Sequence, residues 1–482
     1  MSILIISEPT GSLANLLLKS DVNSLICVTP NDVHLRSVPS GVISGINISC
    51  PQQIKIRVPE IKEHLLKAYP LIDRWVNSSQ SISTSVGLLL EYTVSLIQII
   101  GNHPPRVAIL ETGAPHHLFT YCLDVALNYL GIKTYYLYGN VFDGRCLVVE
   151  GIEKKTVIRI SNYSAESVIT EYIKKIKNNV TYTPEDSTRS ISPFLHQSSL
   201  YAVHLHLRHL IAKFRRRLIG CRLPEVSSKI NLKLPLFGFF DAVKIFRAHK
   251  KYKKLLITQE HFQVSQIQPD DIVYVGHMLP EATSFPEAHN YPDEIDVLID
   301  LKNRFPDSNV YYREHPAIGI FSEFGYVHFQ GIHKCSAFYQ QLGSLGVGLV
   351  PPSMHISKIR DQGCLFATKT GRVAVENSIL GIPTILYGFP FYGIDLPLTF
   401  HINNLPSKST VQHIKDLVAS ILDPDLAVKK SLTEMFSGSI ENPAMGLGVP
   451  NPTARPAFEI SFLRLVKRLC IENEPLSDLG KK

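Results

Sequence analysis

The sequence lacks the usual signatures of metal, disulfide and P-loop chemistry. Its eight cysteines (Cys27, Cys50, Cys122, Cys146, Cys221, Cys335, Cys364 and Cys470) form no CxxC pair and no metal-ligand spacing. Several lie in apolar runs such as Leu25-Ile26-Cys27-Val28, where a reduced thiol behaves as a small hydrophobe, and this fits a reducing, cytoplasmic compartment. There is no GxxxxGK[ST], which excludes a P-loop. The run Gly343-Ser-Leu-Gly-Val-Gly348 has the wrong spacing for a dinucleotide fingerprint and precedes a strand. The single Asp-x-Asp, Asp423-Pro424-Asp425, follows a predicted helix, where turn chemistry accounts for it, so no metal and no cofactor are expected. Long apolar runs are missing too. Val86 to Ile100 is broken by Glu91, Ser95 and Gln98, fails as a membrane span and reads as a buried helix. Met1 to Ser7 has neither the basic flank nor the apolar length of a signal peptide.

What is present describes a globular protein. Hydrophobic residues make up 45% and charged residues 19%, which leaves no dominant disordered tract, and 482 residues exceed one ordinary core. The net charge of +7 is concentrated in two clusters. One is Arg208, Lys213, Arg215, Arg216 and Arg217; the other is Lys244, Arg247, Lys250, Lys251, Lys253 and Lys254. Both suit a phosphate-bearing partner, such as an anionic membrane surface or a charged glycan, and both are equally readable as solvated helix faces. No nucleic-acid partner is expected.

Hydrophobic periodicity predicts strands at 3–6 and 24–28, helices at 61–75 and 85–100, and a buried strand at 106–110. That strand leads through Glu111-Thr-Gly-Ala-Pro-His-His117 into a helix at 118–130 and a strand at 134–138, a βαβ unit. From 156 to about 256 the period weakens. A second α/β half opens with Asp271-Ile-Val-Tyr-Val-Gly276 and a polar loop, His277 to Pro286. Helix 294–304 and strand 309–312 follow, then strands at 346–350, 364–368 and 382–387, with helices at 354–360, from Thr370 to Gly381, and at 412–422. The expected organisation is a Rossmann-like acceptor-side domain (1–155), a helical or irregular connector with the basic segments (156–265), a Rossmann-like nucleotide-sugar domain (266–450), and a helix (451–482) that packs back on the first domain.

Two strand ends carry the candidate chemistry. Pro316 bars further pairing after 309–312, so Arg313, Glu314 and His315 fall at a carboxyl end, where open α/β sheets bind ligands. An Arg and a His there suit a phosphate. Thr368-Lys369-Thr370-Gly371 stands between a strand and a helix. Gly371 allows close approach, Thr368 and Thr370 add hydroxyls, the helix start favours an anion, and Glu376 is placed to accept from ribose hydroxyls. Thr370 as a simple N-cap is the competing structural reading. With Thr283 and Ser284 in a third loop, the expectation is that the rims of two neighbouring strands converge on one leaving phosphate.

Pro280-Glu-Ala-Thr-Ser284, Tyr312-Arg-Glu-His-Pro316 and Thr370-Gly-Arg-Val-Ala-Val-Glu376, followed by Gly381-Ile-Pro383 and Gly388, resemble the capsule and surface polysaccharide biosynthesis glycosyltransferases, including the Kdo transferases. Ala114-Pro-His-His117 and Gly131-Ile-Lys-Thr134 are similar to the first-domain segment of the same group. The resemblance covers about 104–140 and 271–390. It implies an α/β GT-B-like fold, two Rossmann-like doubly wound domains facing each other across a cleft, a CMP-linked donor and no metal. It also maps a phosphate-binding His-Pro element onto His315 and Pro316. Arg313 stands where that pattern has Lys, and Asn377 where it has Ala. The implied activity is transfer of a Kdo- or sialic-acid-like sugar to a glycan or glycolipid at the inner face of the membrane. Glu111 is the first candidate for catalytic base, with His116 and Glu281 as rivals. Two other readings compete. One is CDP-polyol phosphotransfer of the teichoic-acid type; the other is a non-catalytic scaffold or glycan-binding subunit.

Overall fold

The computed structural model describes residues 2–6, 24–27, 56–67, 82–102, 104–105, 107–110, 118–138, 145–151, 156–158, 165–178, 247, 266–277, 291, 293–315, 336–350, 354–390, 396–437, 439–441, 444–445, 449–450 and 455–472. The chain divides into two compact units. One comprises Met1–Ser164, Gly220–Leu232 and Glu434–Lys482; the other comprises Ala165–Ile219 and Lys233–Thr433.

The first unit begins with β1 (Ser2–Ile6) and β2 (Ser24–Cys27), then helices α1 (Val58–Lys67) and α2 (Ile82–Asn102). Next come β3 (Val107–Leu110), α3 (Leu118–Tyr129), β4 (Lys133–Tyr138), β5 (Arg145–Glu150) and β6 (Thr156–Ile158). Strands β2, β1, β3 and β4 run parallel in that spatial order. The chain therefore reverses its winding between β1 and β3, where Ile6 lies beside Leu110. β5 and β6 extend the sheet antiparallel. All four residues of β3 are buried, as expected of a strand covered on both faces. Gly131, at φ +68°, ends α3 in the left-handed conformation that disfavours a side chain. The helix expected over 61–75 is described as Val58–Lys67.

The second unit contains α4 (Glu166–Lys177), β7 (Ile272–Val275), α5 (Glu294–Arg304), β8 (Val310–Arg313), α6 (Ser336–Ser344) and β9 (Gly348–Val350). It continues with α7 (Ile356–Arg360), β10 (Leu365–Thr368), α8 (Val373–Ile379), β11 (Thr384–Leu386), β12 (Thr399–His401), α9 (Val411–Ala419) and α10 (Pro424–Phe436). Its six strands are all parallel, in the order β12-β11-β10-β7-β8-β9. Counted along the chain this is the 3-2-1-4-5-6 arrangement of a doubly wound nucleotide-binding sheet, with its switch point between β7 and β10. One face packs Ile272, Tyr274, Val310 and Tyr312 against Val297, Leu298 and Leu301 of α5, Phe338 and Leu342 of α6, and Ile414 of α9. The other packs Val273, Val275, Val350 and Phe366 against Ile356 and Ile359 of α7 and Val373 of α8. The single-residue alternation along β7 thus sends Tyr274 to one face and Val273 and Val275 to the other.

Several elements depart from the periodicity reading. α4 lies inside the stretch expected to be a connector and belongs to the second unit. Its Tyr172 hydroxyl accepts from Arg372 Nη2 at 3.4 Å, and exposed pairs join Lys177 to Asp425 and Lys429 to Glu166. Asp423-Pro424-Asp425 is a helix start, not a plain turn. Asp423 Oδ1 accepts from Leu426 N at 2.9 Å, and Pro424 takes the first helical position, where no N–H is needed. The helix expected to run from Thr370 to Gly381 has seven residues, because Gly371 and Arg372 are spent in the turn before it. After α10 the chain returns to the first unit. β13 (Ile440–Glu441) pairs antiparallel with β5, and α11 (Arg455–Glu472) is part of that unit, burying Phe462, Leu465, Val466 and Leu469.

The fold class is α/β, GT-B-like in carrying two Rossmann-like units in one chain. No described helix is long and apolar enough to cross a membrane.

Candidate functional site

The switch point of the second unit is lined by residues that follow β7 and β10. Parallel pairing sets Val273 beside Phe366 and Tyr274 beside Ala367, so Gly276-His277 and Thr368-Lys369-Thr370 leave the sheet side by side. His277 is buried, and its Nε2 lies 3.1 Å from Thr368 Oγ1 and 3.3 Å from the Thr370 amide. An amide aimed at Nε2 makes that nitrogen the acceptor and puts the ring proton on Nδ1. Thr368 Oγ1 in turn accepts from Gly371 N at 3.3 Å, and its single proton serves either His277 Nε2 or the Val275 carbonyl, at 3.3 Å. The two loop amides expected to face a phosphate are therefore turned inward onto side chains of their own sheet. The loop is held in shape by His277 and Thr368 and is not a row of open donors.

Gly371 is required for that shape. A Cβ there would lie 2.6 Å from Thr368 Oγ1. Lys369 and Thr368 are fully buried, and their carbonyls accept from Gly388 N and Tyr387 N at 3.0 Å, which continues the ladder to the end of β11.

One strand further along, Arg313-Glu314-His315 leave the end of β8. β8 is not the neighbour of β10, as was expected, because β7 runs between them. Two strand spacings put the rims at 315 and 370 roughly 10 Å apart. His277 stands on the middle strand. Arg313, expected to face a phosphate, ends β8. It is buried, and its Nη2 donates to the Met354 carbonyl at 3.4 Å, under the turn into α7. His315 is half-buried.

Two buried carboxylates connect these rims. Glu294, at the start of α5, accepts from the His277 amide at 2.5 Å through Oε1 and from the Tyr312 hydroxyl at 2.7 Å through Oε2. Glu314 accepts from Tyr312 at 3.0 Å, from the His315 amide at 3.0 Å and from the Tyr339 hydroxyl at 2.7 Å. The single phenolic proton of Tyr312 can serve one carboxylate at a time. Burial, then the charges of Glu294 and Glu314, hold that phenol protonated well above its usual range. Gly276 makes room for the bridge, since a Cβ there would run into the Tyr312 hydroxyl and lie 2.8 Å from its Cζ.

Glu376 lies near the start of α8. Its Oε2 accepts from Arg360 Nη2 at 2.8 Å, and Arg372 Nε is 4.0 Å from Oε1. The remaining candidates, Glu111, His116, Glu281, Thr283, Ser284 and Pro316, lie outside the described residues. Glu111 directly follows β3, whose end borders the winding reversal of the first unit. Among the described residues no group of three His, Cys, Asp or Glu side chains could hold a metal ion. The sequence placed His277 only at the head of a polar loop, because a lone histidine after a buried strand carries no motif; the sheet order sets it beside Thr368.

No family model matches the chain, and no curated protein sequence matches it. Among solved structures it is similar to Thermosulfurimonas dismutans KpsC, a beta Kdo 2,7 transferase, at 18% identity over 46% of this chain, with a TM-score of 0.25. The match spans 62% of that protein's length. It is also similar to the Methanocaldococcus jannaschii UDP-GlcNAc 2-epimerase, solved with UDP-GlcNAc and UDP, at 10% identity, covering 97% of this chain and 99% of that one, with a TM-score of 0.21. S. aureus MnaA, solved with UDP, is similar at 10% identity over 97% of this chain and 96% of that one, with a TM-score of 0.23. At such identities and scores, activity has to be argued from this chain's own residues.

Proposed function

We propose that the chain is a glycosyltransferase of surface polysaccharide assembly, moving a Kdo- or sialic-acid-like sugar from a CMP-activated donor to a glycan or glycolipid acceptor. One observation supports this above the others: His277, Thr368 and Thr370 meet at the switch point of a sheet wound 3-2-1-4-5-6, where such sheets take nucleotides. The YREHP and TGRVAVE motifs flank that point.

In this reading the donor phosphate lies between the rims of β8 and β10. His315, backed by Pro316, and the Thr370 hydroxyl receive it, Gly371 admits it, and Thr283 and Ser284 approach from the loop after β7. Positive and hydroxyl donors fixed before the reaction stabilise charge as it develops on the departing phosphate. Glu376 accepts from the ribose. Glu111 takes the acceptor proton, with His116 and Glu281 as the other bases to test. The basic segments at 208–217 and 244–254 meet the anionic membrane or glycan.

The test begins with thermal stabilisation of the full chain by CMP and by UDP. It continues with nucleotide release from a panel of CMP- and UDP-sugars and CDP-glycerol, with and without a glycan acceptor. CMP stabilisation with acceptor-dependent release from a CMP-sugar is the expected result, and His277→Ala should lower CMP affinity at least about tenfold. Release from CDP-glycerol alone would make the chain a polyol phosphotransferase. Indifference to every nucleotide would leave a scaffold or glycan-binding subunit.

A further inference from the structure

Arg360 ends α7, on the face of the sheet opposite α5 and α6, and makes a forked contact with two consecutive residues of α8. Its Nε donates to Asn377 Oδ1 at 2.8 Å, and its Nη2 donates to Glu376 Oε2 at 2.8 Å. The guanidinium and the carboxylate are 10% and 13% exposed, so the pair is shielded from solvent competition. Asn377 is fully buried, and its orientation is fixed from the other side, where Nδ2 donates to Thr384 Oγ1 at 3.0 Å. The order of dependence therefore runs from β11 to Asn377, then to Arg360, then to Glu376. Only Oε2 of Glu376 is held in this way. Oε1 faces Arg372 at 4.0 Å, beyond hydrogen-bond range.

An arginine fork with one prong on Asn377 fixes the direction from which the other prong meets Glu376 Oε2 as a lysine ammonium cannot, because its donors are coplanar and fixed in angle. We infer that Arg360 is the positioning residue that aims Glu376 Oε1 at the ribose, and that Asn377 stands in this sequence to hold Arg360. The inference rests on the CMP-donor reading and assigns the trio a specificity role, discrimination of ribo- from 2′-deoxyribonucleotides.

The experiment measures CMP and 2′-deoxy-CMP affinity by calorimetry on the full chain, with melting temperature recorded for each variant. The wild type should prefer CMP by about tenfold or more, the worth of a hydrogen bond to a charged acceptor. Glu376→Gln and Arg360→Lys should each reduce that preference to within about threefold. Both should keep most of the affinity for 2′-deoxy-CMP, since in this reading the phosphate is held by His315 and Thr370 and not by the Glu376 carboxylate. Asn377→Ala, a milder change should Arg360→Lys fail to fold, should reduce it partway.

An Arg360→Lys or Asn377→Ala protein that melts earlier yet keeps the wild-type ratio would reduce the fork to a tie between two helices. Equal binding of the two nucleotides by the wild type would refute the ribose role and leave the phosphate site standing. Binding of neither would refute the donor reading and this inference together.

Discussion

Each unit buries a tyrosine hydroxyl against a carboxylate, and the two arrangements end in different places. In the first unit Asp124 of α3 accepts from Tyr136 of β4 and from the Asn128 side chain one helical turn away, at 3.0 Å. Tyr136 is fully buried in the sheet and Asn128 lies on the exposed side of the same helix, so the carboxylate fastens a helix to its sheet. In the second unit Glu294 and Glu314 accept from Tyr312 and also from the backbone amides of His277 and His315. The same chemistry there reaches the carboxyl rim and holds the main chain at both histidines. A buried carboxylate is costly to leave unpaired in either place. In the second its hydrogen bonds reach the carboxyl edge of the parallel sheet.

The largest expected effect comes from crowding the second arrangement. Gly276→Val should destabilise the protein by about 3 kcal/mol, because the new side chain meets the Tyr312 ring in a packed core. Urea unfolding measures it. Part of the smaller loss in Gly276→Ala should be recovered in a Gly276→Ala, Tyr312→Phe double variant, because removing the hydroxyl removes the nearest clash and leaves the ring carbon at 2.8 Å. Additive losses would show that the crowding lies elsewhere. Next in size is Asp124→Ala, which strands the buried Tyr136 hydroxyl and should cost about 2 kcal/mol. Its nucleotide response should be unchanged at temperatures where the variant is folded. A lost response would erase the contrast between fastening and rim.

How far the sequence revealed these arrangements follows from what each residue depends on. The buried runs Val107–Leu110 and Ile272–Val275 were legible because a short, β-branched apolar run between polar turn residues suits a strand covered on both faces. The strand end at Arg313-Glu314-His315 was legible from the proline after it. What could not be read was neighbourhood. Adjacent strands in a doubly wound sheet are not adjacent in sequence, so nothing local told that β7 separates β8 from β10, or that His277 stands beside Thr368. Nor could the strand end tell that Arg313 Nη2 donates to the Met354 carbonyl, from a turn far along the chain. Short edge elements such as β12 and β13 carry too few residues for a period to show. Asn377 read as a departure from a motif and acquires a reason only when Arg360 is seen beside it.

Tyr312→Phe sharpens the comparison from the other direction. The ring keeps its place between Tyr274 and Phe338, so stability should fall by only about 1 kcal/mol. CMP affinity should fall more than the stability loss accounts for, because the two rim carboxylates lose their common donor. Calorimetry at matched fraction folded checks this. An unchanged affinity would mean that the rims are held by the sheet ladder alone, through contacts such as Gly276 N to the Arg313 carbonyl at 2.9 Å.

The effect that is smallest at neutral pH, and grows only in alkali, separates the units by their thiols. Burial pushes Cys122 in the first unit up to about 12, against a lowering contribution from Thr93, and burial pushes Cys364 in the second up to about 12 as well. Each thiol stays protonated in the folded protein and ionises near 8.5 when unfolded. The unfolded state therefore releases a proton that the folded state retains. Stability contributed by each thiol is complete below the unfolded value and is lost as pH rises toward the folded one. The slope approaches about 1.4 kcal/mol per pH unit per thiol, so at pH 10 each accounts for roughly 1–2 kcal/mol. Buried tyrosines in both units, Tyr136 and Tyr274 among them, add the same sign at higher pH. Cys122→Ala should flatten the pH 8–10 limb of whichever unfolding transition belongs to the first unit, and Cys364→Ala that of the second. If both substitutions flatten the same transition by the same amount, the units melt as one and the division drawn from their cores has no thermodynamic counterpart.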